Sequence, residues 1–403
     1  MVKRAEFYPA KLTPLFVRLI QSLSYGVAYT AYRLNLKVAD RDLDKLKAIE
    51  GDRFVLMPNH PSFSDAIALC LLSARSGQLF HYLVAHDNFR GWQGEFLQRM
   101  GCYSIKRGAG DRPSIAYTLA LLRQDATKLV IFPEGGCSYQ NDTVMPFRPG
   151  AVQMPLQVLQ KLAQQTAVVP NFFLVPISLK YRYRTSMTNT ISNSLRQLET
   201  TLDIVPKNKS FYPRLRAIGE KVLNNIEREY SIFTPNLYES DLNRRIKKVR
   251  THLITDCEQK LGIDSNSHLP LRERVYKIQF LLDSQSELSS GSATLYKATI
   301  RLLNFDALYD GYVAADPTSE RFLDTLTRLE REVLAIDRPQ PKGDRDAFVK
   351  IGDPVNLKNY LPACKQDRTQ TIDNLTQKIQ DAVQQNLNTM PSHGTFAFPK
   401  SIC

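Results

Sequence analysis

FVLMPNHPSFSDAIALCLLSA, residues 54–74, passes from an apolar run of strand length to a helical pattern within a few residues. Phe54 to Pro58 has the unbroken apolar character of a strand covered on both faces. Pro61 ends that run and favours a helix start, which leaves His60 at the strand's end and Asp65 in the helix's first turn. On one continuous helix five residues turn through about 500°, so the two side chains would point roughly 140° apart. Across a strand-to-helix break they can meet. The carboxylate can then hold one ring N–H and fix the tautomer, while the other nitrogen takes a proton from a hydroxyl. An equally concrete reading makes Ser62-x-x-Asp65 a capping box, with Asp65 serving only the positive helix end.

Outward from this stretch, short apolar or β-branched runs alternate with helical patterns. FVLMPN, LFHYLVAH, GCYSIK, KLVIFPEG and VVPNFFLVPISLKY read as strands, and SDAIALCLLSA, GWQGEFLQRM, PSIAYTLALLRQD and AVQMPLQVLQKLA as helices. The alternation predicts an α/β fold: a largely parallel central sheet flanked by helices, with its chemistry where strand ends meet helix starts. After Tyr183 the pattern turns helical; in SERFLDTLTRLEREVLAI, Phe322, Leu326, Leu329 and Val333 form one apolar face. FVKIGDPVNL, residues 348–357, returns to a strand and turn. The expected organisation is an amino-terminal arm (1–37), an α/β domain (38–183 with 346–390), a basic, mostly helical insertion (184–345) and a tail (391–403).

The net charge of +13 sits in two places, with six basic and one acidic side chain in residues 1–37 and fifteen and seven in residues 180–250. Local excesses of this kind suit an anionic membrane surface. Neither stretch carries a nucleic-acid-binding motif, so no nucleic-acid partner is expected. Cysteines 70, 102, 137, 257, 364 and 403 lack CxxC spacing, which argues for free thiols in a reducing compartment and against a metal site.

The arm, KLTPLFVRLIQSLSYGVAYTAYRLNLKV, is apolar and aromatic. Its longest uncharged run, Leu19 to Tyr32, is shorter than the roughly 20 apolar residues of a bilayer span, and Arg18 interrupts any secretory core. It reads as one or two helices on a membrane surface, with Lys3, Arg4, Lys11, Arg18, Arg33 and Lys37 towards headgroups, or as an amphipathic helix packed on the protein's own core. A cytoplasmic membrane face, peripheral or monotopic, is the expected location.

Three further blocks follow NHPSFSD in order. GCYSIKR, 101–107, ends a strand with two adjacent cations. FPEGGCS, 132–138, ends another with a carboxylate and a glycine pair, and PFRPGA, 146–151, comes after it. VPIS, 175–178, ends a third. This ordered set resembles the glycerolipid acyltransferase family, whose blocks read NHxxxxD, GxxFIDR, FPEGTRS and VPVAI. The resemblance covers about residues 50 to 180, and FVKIGDP is similar to the family's late strand.

The resemblance implies that His60 deprotonates an acceptor hydroxyl and that Asp65 partners it. It implies that Lys106 and Arg107 meet an acceptor phosphate, that Glu134 and Gly135 form the core of the acceptor block, and that Pro176 shapes the acyl-donor side. Cys137 is a departure, since the family usually has an Arg there that would bind phosphate bidentately. Arg148, Lys106 or Arg107 can substitute, or the acceptor is a lipid alcohol without phosphate. Cys137 has no adjacent base in the sequence and reads as inert.

Other features read as structural. His81 and His86 fit no common metal spacing, and Trp92 reads as core or as part of an acyl tunnel. The run Arg244, Arg245, Lys247, Lys248, Arg250 reads as a solvated helix face or a headgroup contact. The expected activity is O-acyl transfer from an acyl-CoA or acyl-carrier-protein thioester, with no bound cofactor or metal, to a lysophospholipid hydroxyl, foremost 1-acylglycerol-3-phosphate. The competing expectations are a non-phosphorylated lipid acceptor, hydrolysis of an acyl thioester or lipid, and a silent lipid-binding protein.

Overall fold

A computed structural model describes residues 6–108, 110–232, 241–284 and 290–390. The expected tail, with Lys3 and Arg4, lies outside the described residues. The described residues divide into two compact units, one of residues 6–106, 110–182 and 344–390, the other of residues 107–108 and the described part of 183–343. The strands are β1 (Leu34–Val38), β2 (Arg53–Pro58), β3 (His81–Ala85), β4 (Cys102–Ile105), β5 (Lys128–Val130), β6 (Phe172–Tyr183), β7 (Arg345–Ile351) and β8 (Val355–Asn356). The helices are α1 (Pro14–Tyr32), α2 (Asp40–Lys47), α3 (Asp65–Ser76), α4 (Gly91–Arg99), α5 (Arg112–Arg123), α6 (Gly150–Gln165), α7 (Thr188–Thr201), α8 (Phe211–Glu229), α9 (Leu242–Lys260), α10 (Leu271–Ser284), α11 (Ser290–Phe305), α12 (Tyr312–Ala315), α13 (Ser319–Val333), α14 (Leu361–Gln366) and α15 (Arg368–Thr389).

The first unit is an α/β fold around a mostly parallel sheet in the order β1-β7-β6-β2-β5-β3-β4, with β8 antiparallel on β6. Every residue of β2 is buried, because both sheet faces are covered. Strand alternation sends Val55 and Met57 to a core shared with Leu156 of α6 and Ile379 of α15. It sends Phe54 and Leu56 to the opposite core, with Leu46 of α2, Leu72 of α3 and Ala28 of α1.

The arm is not separate from this unit. LNLKV forms β1, parallel to β7 with Leu34 opposite Arg345 and Val38 opposite Val349. The preceding residues form one helix, α1, with Val17, Gln21, Ser24 and Ala28 buried. Gln21 does not break it, because its Nε2 donates to Ser73 Oγ at 2.6 Å and to the Gln78 carbonyl at 3.0 Å. Two cations expected at headgroups also make contacts within the protein. Arg18 donates to the Gly77 carbonyl that ends α3, and Arg33 pairs with Asp344 at 2.7 Å. No helix of the described residues is long and apolar enough to cross a membrane.

The second unit packs α7 to α13 around its own core, including Leu195, Ile218, Val249, Leu302, Phe322, Leu326 and Leu329, with Val333 half-buried at the edge. Arg–carboxylate pairs tie its helices together: Arg214 with Glu199, Arg245 with Glu227, Arg274 with Glu258 and Arg301 with Glu332. The basic run is therefore not one solvated face. Arg245 is buried against Glu227 and Arg250 reaches Asp306 at 3.4 Å, whereas Lys247 is exposed.

Candidate active site

The site begins where β2 stops. Past Pro58 the side chain of Asn59 continues the pairing to β6, donating to the Leu179 carbonyl at 3.0 Å and accepting the Leu179 N–H at 2.7 Å. This amide clamp fixes the backbone from which His60 projects.

His60 Nδ1 lies 2.6 Å from Asp65 Oδ2. Asp65, the first residue of α3, is fully buried, and its Oδ2 also accepts the Ser62 N–H at 3.0 Å. Helix-start and pairing readings of Asp65 thus converge on one oxygen. A carboxylate only accepts, so Nδ1 carries the ring proton and Nε2 is the nitrogen presented to another molecule. The His60 ring packs on Phe132 with centroids 4.3 Å apart and keeps 21% of its side-chain surface exposed.

A second loop grips the same histidine. Phe132 to Gly135 forms a turn after β5, closed by the Gly135 N–H on the Phe132 carbonyl at 3.1 Å. Glu134, 2% exposed, accepts the His60 N–H through Oε1 at 3.0 Å. Ser138 donates to the His60 carbonyl from both its N–H, at 2.7 Å, and its hydroxyl, at 3.2 Å. Gly135 has φ +73°, and a Cβ there would lie 2.5 Å from Cζ and Nε of Arg148. Only glycine allows both the left-handed turn and the close approach of that guanidinium. Cys137 is half-buried in this loop.

Tyr181, on β6, is the residue that sequence reasoning missed. Its hydroxyl donates to Asp65 Oδ1 at 2.5 Å, and the Arg345 guanidinium lies 5.1 Å from its ring centroid. Burial pushes the Tyr181 phenol well above its usual range, and the Asp65 charge pushes it further against the opposing pull of Arg345, so the group stays protonated and donates. The available signal was strand alternation in LVPISLKYRY, which puts Leu179 and Tyr181 on one face beyond the point where β2 ends.

The remaining expected residues are spread. The Lys106 N–H is held by Asp111 Oδ2 at 2.7 Å, while Oδ1 of the same Asp caps α5 through the Ser114 N–H. Arg107 belongs to the second unit, where its guanidinium lies 4.4 Å over the Tyr276 ring and donates to the Tyr276 hydroxyl at 3.1 Å. The two members of the expected cation pair thus fall in different units. Pro176 is buried in β6 opposite Met57, and its carbonyl accepts the Gly352 N–H at 2.8 Å.

Trp92 is 81% exposed, neither core nor tunnel wall, because it stands in the first turn of α4 while Phe96, one turn on, makes the contact with Phe16 of α1. His86 packs on Tyr8 with ring centroids 5.2 Å apart. Among the described residues no three His, Cys, Asp or Glu side chains cluster as a metal site requires.

Residues 37–180 match the model of a family described as Acyltransferase. A comparison with curated proteins gave no match. The matched segment contains both loops that hold His60 and ends before α7, the first helix of the second unit. Over this segment the chain carries an acyltransferase domain of the glycerolipid acyltransferase type, which supports an acyl-transferring activity.

Proposed function

We propose that the chain moves a fatty acyl group from an acyl thioester, carried by coenzyme A or acyl carrier protein, to the hydroxyl of 1-acylglycerol-3-phosphate, with His60 as general base. The observation that carries this reading is the His60–Asp65 contact of 2.6 Å on a ring that remains partly exposed. Nε2 takes the acceptor's hydroxyl proton as the oxygen attacks the thioester carbonyl. The C–O bond forms, the C–S bond breaks, and the imidazolium returns its proton to the leaving thiolate. Asp65 stabilises the imidazolium meanwhile, and no covalent enzyme intermediate is needed. Lys106 and Arg148 are the first-unit cations assigned to the acceptor phosphate, with Gly135 giving Arg148 its seat.

Cys137 supports a second reading, an acceptor alcohol without phosphate, since the family's usual guanidinium is missing from its loop. For location, α1 presents Leu15, Leu19, Leu23 and Val27 outward at i, i+4 spacing, all at least 49% exposed, and Trp92 is exposed on α4. An uncharged ladder of this kind suits the headgroup boundary of an anionic, cytoplasm-facing membrane. The test is incubation of the purified chain with labelled acyl-CoA and acyl-carrier-protein donors and either 1-acylglycerol-3-phosphate or monoacylglycerol, with products identified by mass. Diacylglycerol phosphate is the expected product. Free fatty acid released at a rate that neither acceptor changes would replace the reading with hydrolysis.

A further inference from the structure

We propose that Tyr181 is a positioning residue for the acyl transfer, its hydroxyl orienting the Asp65 carboxylate so that His60 is held as a neutral base with its proton on Nδ1. The inference rests on the reading of His60 as the base. Asp65 is sealed from solvent, so protein donors must fill its lone pairs. His60 and Ser62 fill Oδ2, and Tyr181 fills Oδ1.

Tyr181 is itself fixed from three directions. Its N–H and carbonyl are both held at 2.7 Å by the side chain of Asn141. The Arg345 guanidinium lies over its ring and donates through Nη2 to the hydroxyl of Ser64, the residue before Asp65. Helix start, β6, β7 and the loop after β5 thus converge on one carboxylate. The ionisable groups that act on the Asp65–Tyr181 pair are His60 on the loop after β2, Arg345 on β7 and Cys137 on the loop after β5.

A hydrogen bond into a buried carboxylate spreads its negative charge and weakens its hold on a proton shared with the imidazole. Tyr181→Phe removes only the hydroxyl. The negative charge then concentrates on Asp65, which binds the imidazolium more tightly, so His60 gives up its proton at higher pH. A base must be neutral to act, so the acid limb of the kcat/KM profile moves to higher pH, with kcat reduced about 10-fold and the acceptor KM little changed. Incorporating 3-fluorotyrosine at position 181 keeps the shape and strengthens the donor, so the limb moves the other way.

The experiment measures pH profiles and thermal midpoints for the wild type, Tyr181→Phe, the fluorotyrosine protein and His60→Ala. Opposite shifts of the acid limb in the two Tyr181 proteins support the proposal. A Tyr181→Phe protein that loses stability while keeping the wild-type limb overturns it, as do two shifts of the same sign. If Tyr181→Phe does not fold, the fluorotyrosine protein decides by the direction of its shift alone, and a wild-type limb there overturns the proposal. His60→Ala separates the two levels: full activity there defeats the base reading, whereas its loss alongside an unshifted Tyr181 series defeats only the role of Tyr181.

Discussion

The backbone N–H of His60 donates to Oε1 of Glu134 at 3.0 Å, joining the loop after β2 to the loop after β5. Glu134, 2% exposed, thereby holds the backbone of the histidine in place. Glu134→Gln keeps an oxygen acceptor and should stay within a few-fold of wild-type turnover. Glu134→Ala leaves a buried N–H unpaired, which costs about 1–3 kcal/mol of stability. Its kcat should fall at least about tenfold as the imidazole drifts, since placement errors near 1 Å are that costly. Urea midpoints and steady-state kinetics on both variants check this.

Cys137 stands where the resemblance calls for a guanidinium. Cys137→Arg should lower the KM for 1-acylglycerol-3-phosphate by about tenfold or more, the worth of a charge-assisted hydrogen bond to phosphate, and leave monoacylglycerol unaffected. Equal KM values for both acceptors before and after the change would point to a site that does not read phosphate.

The outward ladder on α1 makes a membrane prediction. Leu19→Asp with Leu23→Asp removes two exposed apolar side chains without touching the buried Val17, Gln21, Ser24 and Ala28. Each leucine inserted at a headgroup boundary contributes up to about 1.5–3 kcal/mol. Flotation with phosphatidylglycerol-containing vesicles should therefore fall at least about tenfold while the thermal midpoint holds. Unchanged flotation would detach α1 from membrane binding.

The helical unit should be acid-sensitive through Glu258. Burial pushes this carboxyl up, but the Arg274 guanidinium, 2.6 Å away, and the Ser265 hydroxyl outweigh it and hold the group below its ordinary value of 4.5. A lowered folded-state value means the contribution to stability is complete above pH 4.5 and is lost as pH falls through the folded value. Glu258→Gln should flatten that acid limb in urea unfolding monitored by circular dichroism, with little change in the slope elsewhere.

Much of the first unit was legible because its signals are local. The apolar run at Phe54 to Pro58 and the Pro61 break place His60 and Asp65 correctly at a strand end and a helix start, where they now lie 2.6 Å apart. β1 went unread although Leu34, Leu36 and Val38 alternate with Asn35 and Lys37 as a half-buried strand does, because it is short and its pairing partner, β7, comes from residues 345–351. The contacts of Arg18, Arg33 and Arg107 were not legible for a related reason. A cation in sequence shows its charge but not its partner, and here the partners are a helix-end carbonyl, a distant Asp and a tyrosine ring. Tyr181 was invisible because its meaning depends on β6 running past the end of β2, a fact of register rather than of residue type.

The most direct measurement compares kcat/KM for acyl transfer by the wild type and His60→Ala across pH, with circular dichroism confirming that both are folded. A positioned base contributes about 10² to 10⁴ in rate. A loss of that size is expected in His60→Ala, together with disappearance of the acid limb of the wild-type profile. Wild-type kcat/KM in a folded His60→Ala protein would contradict it.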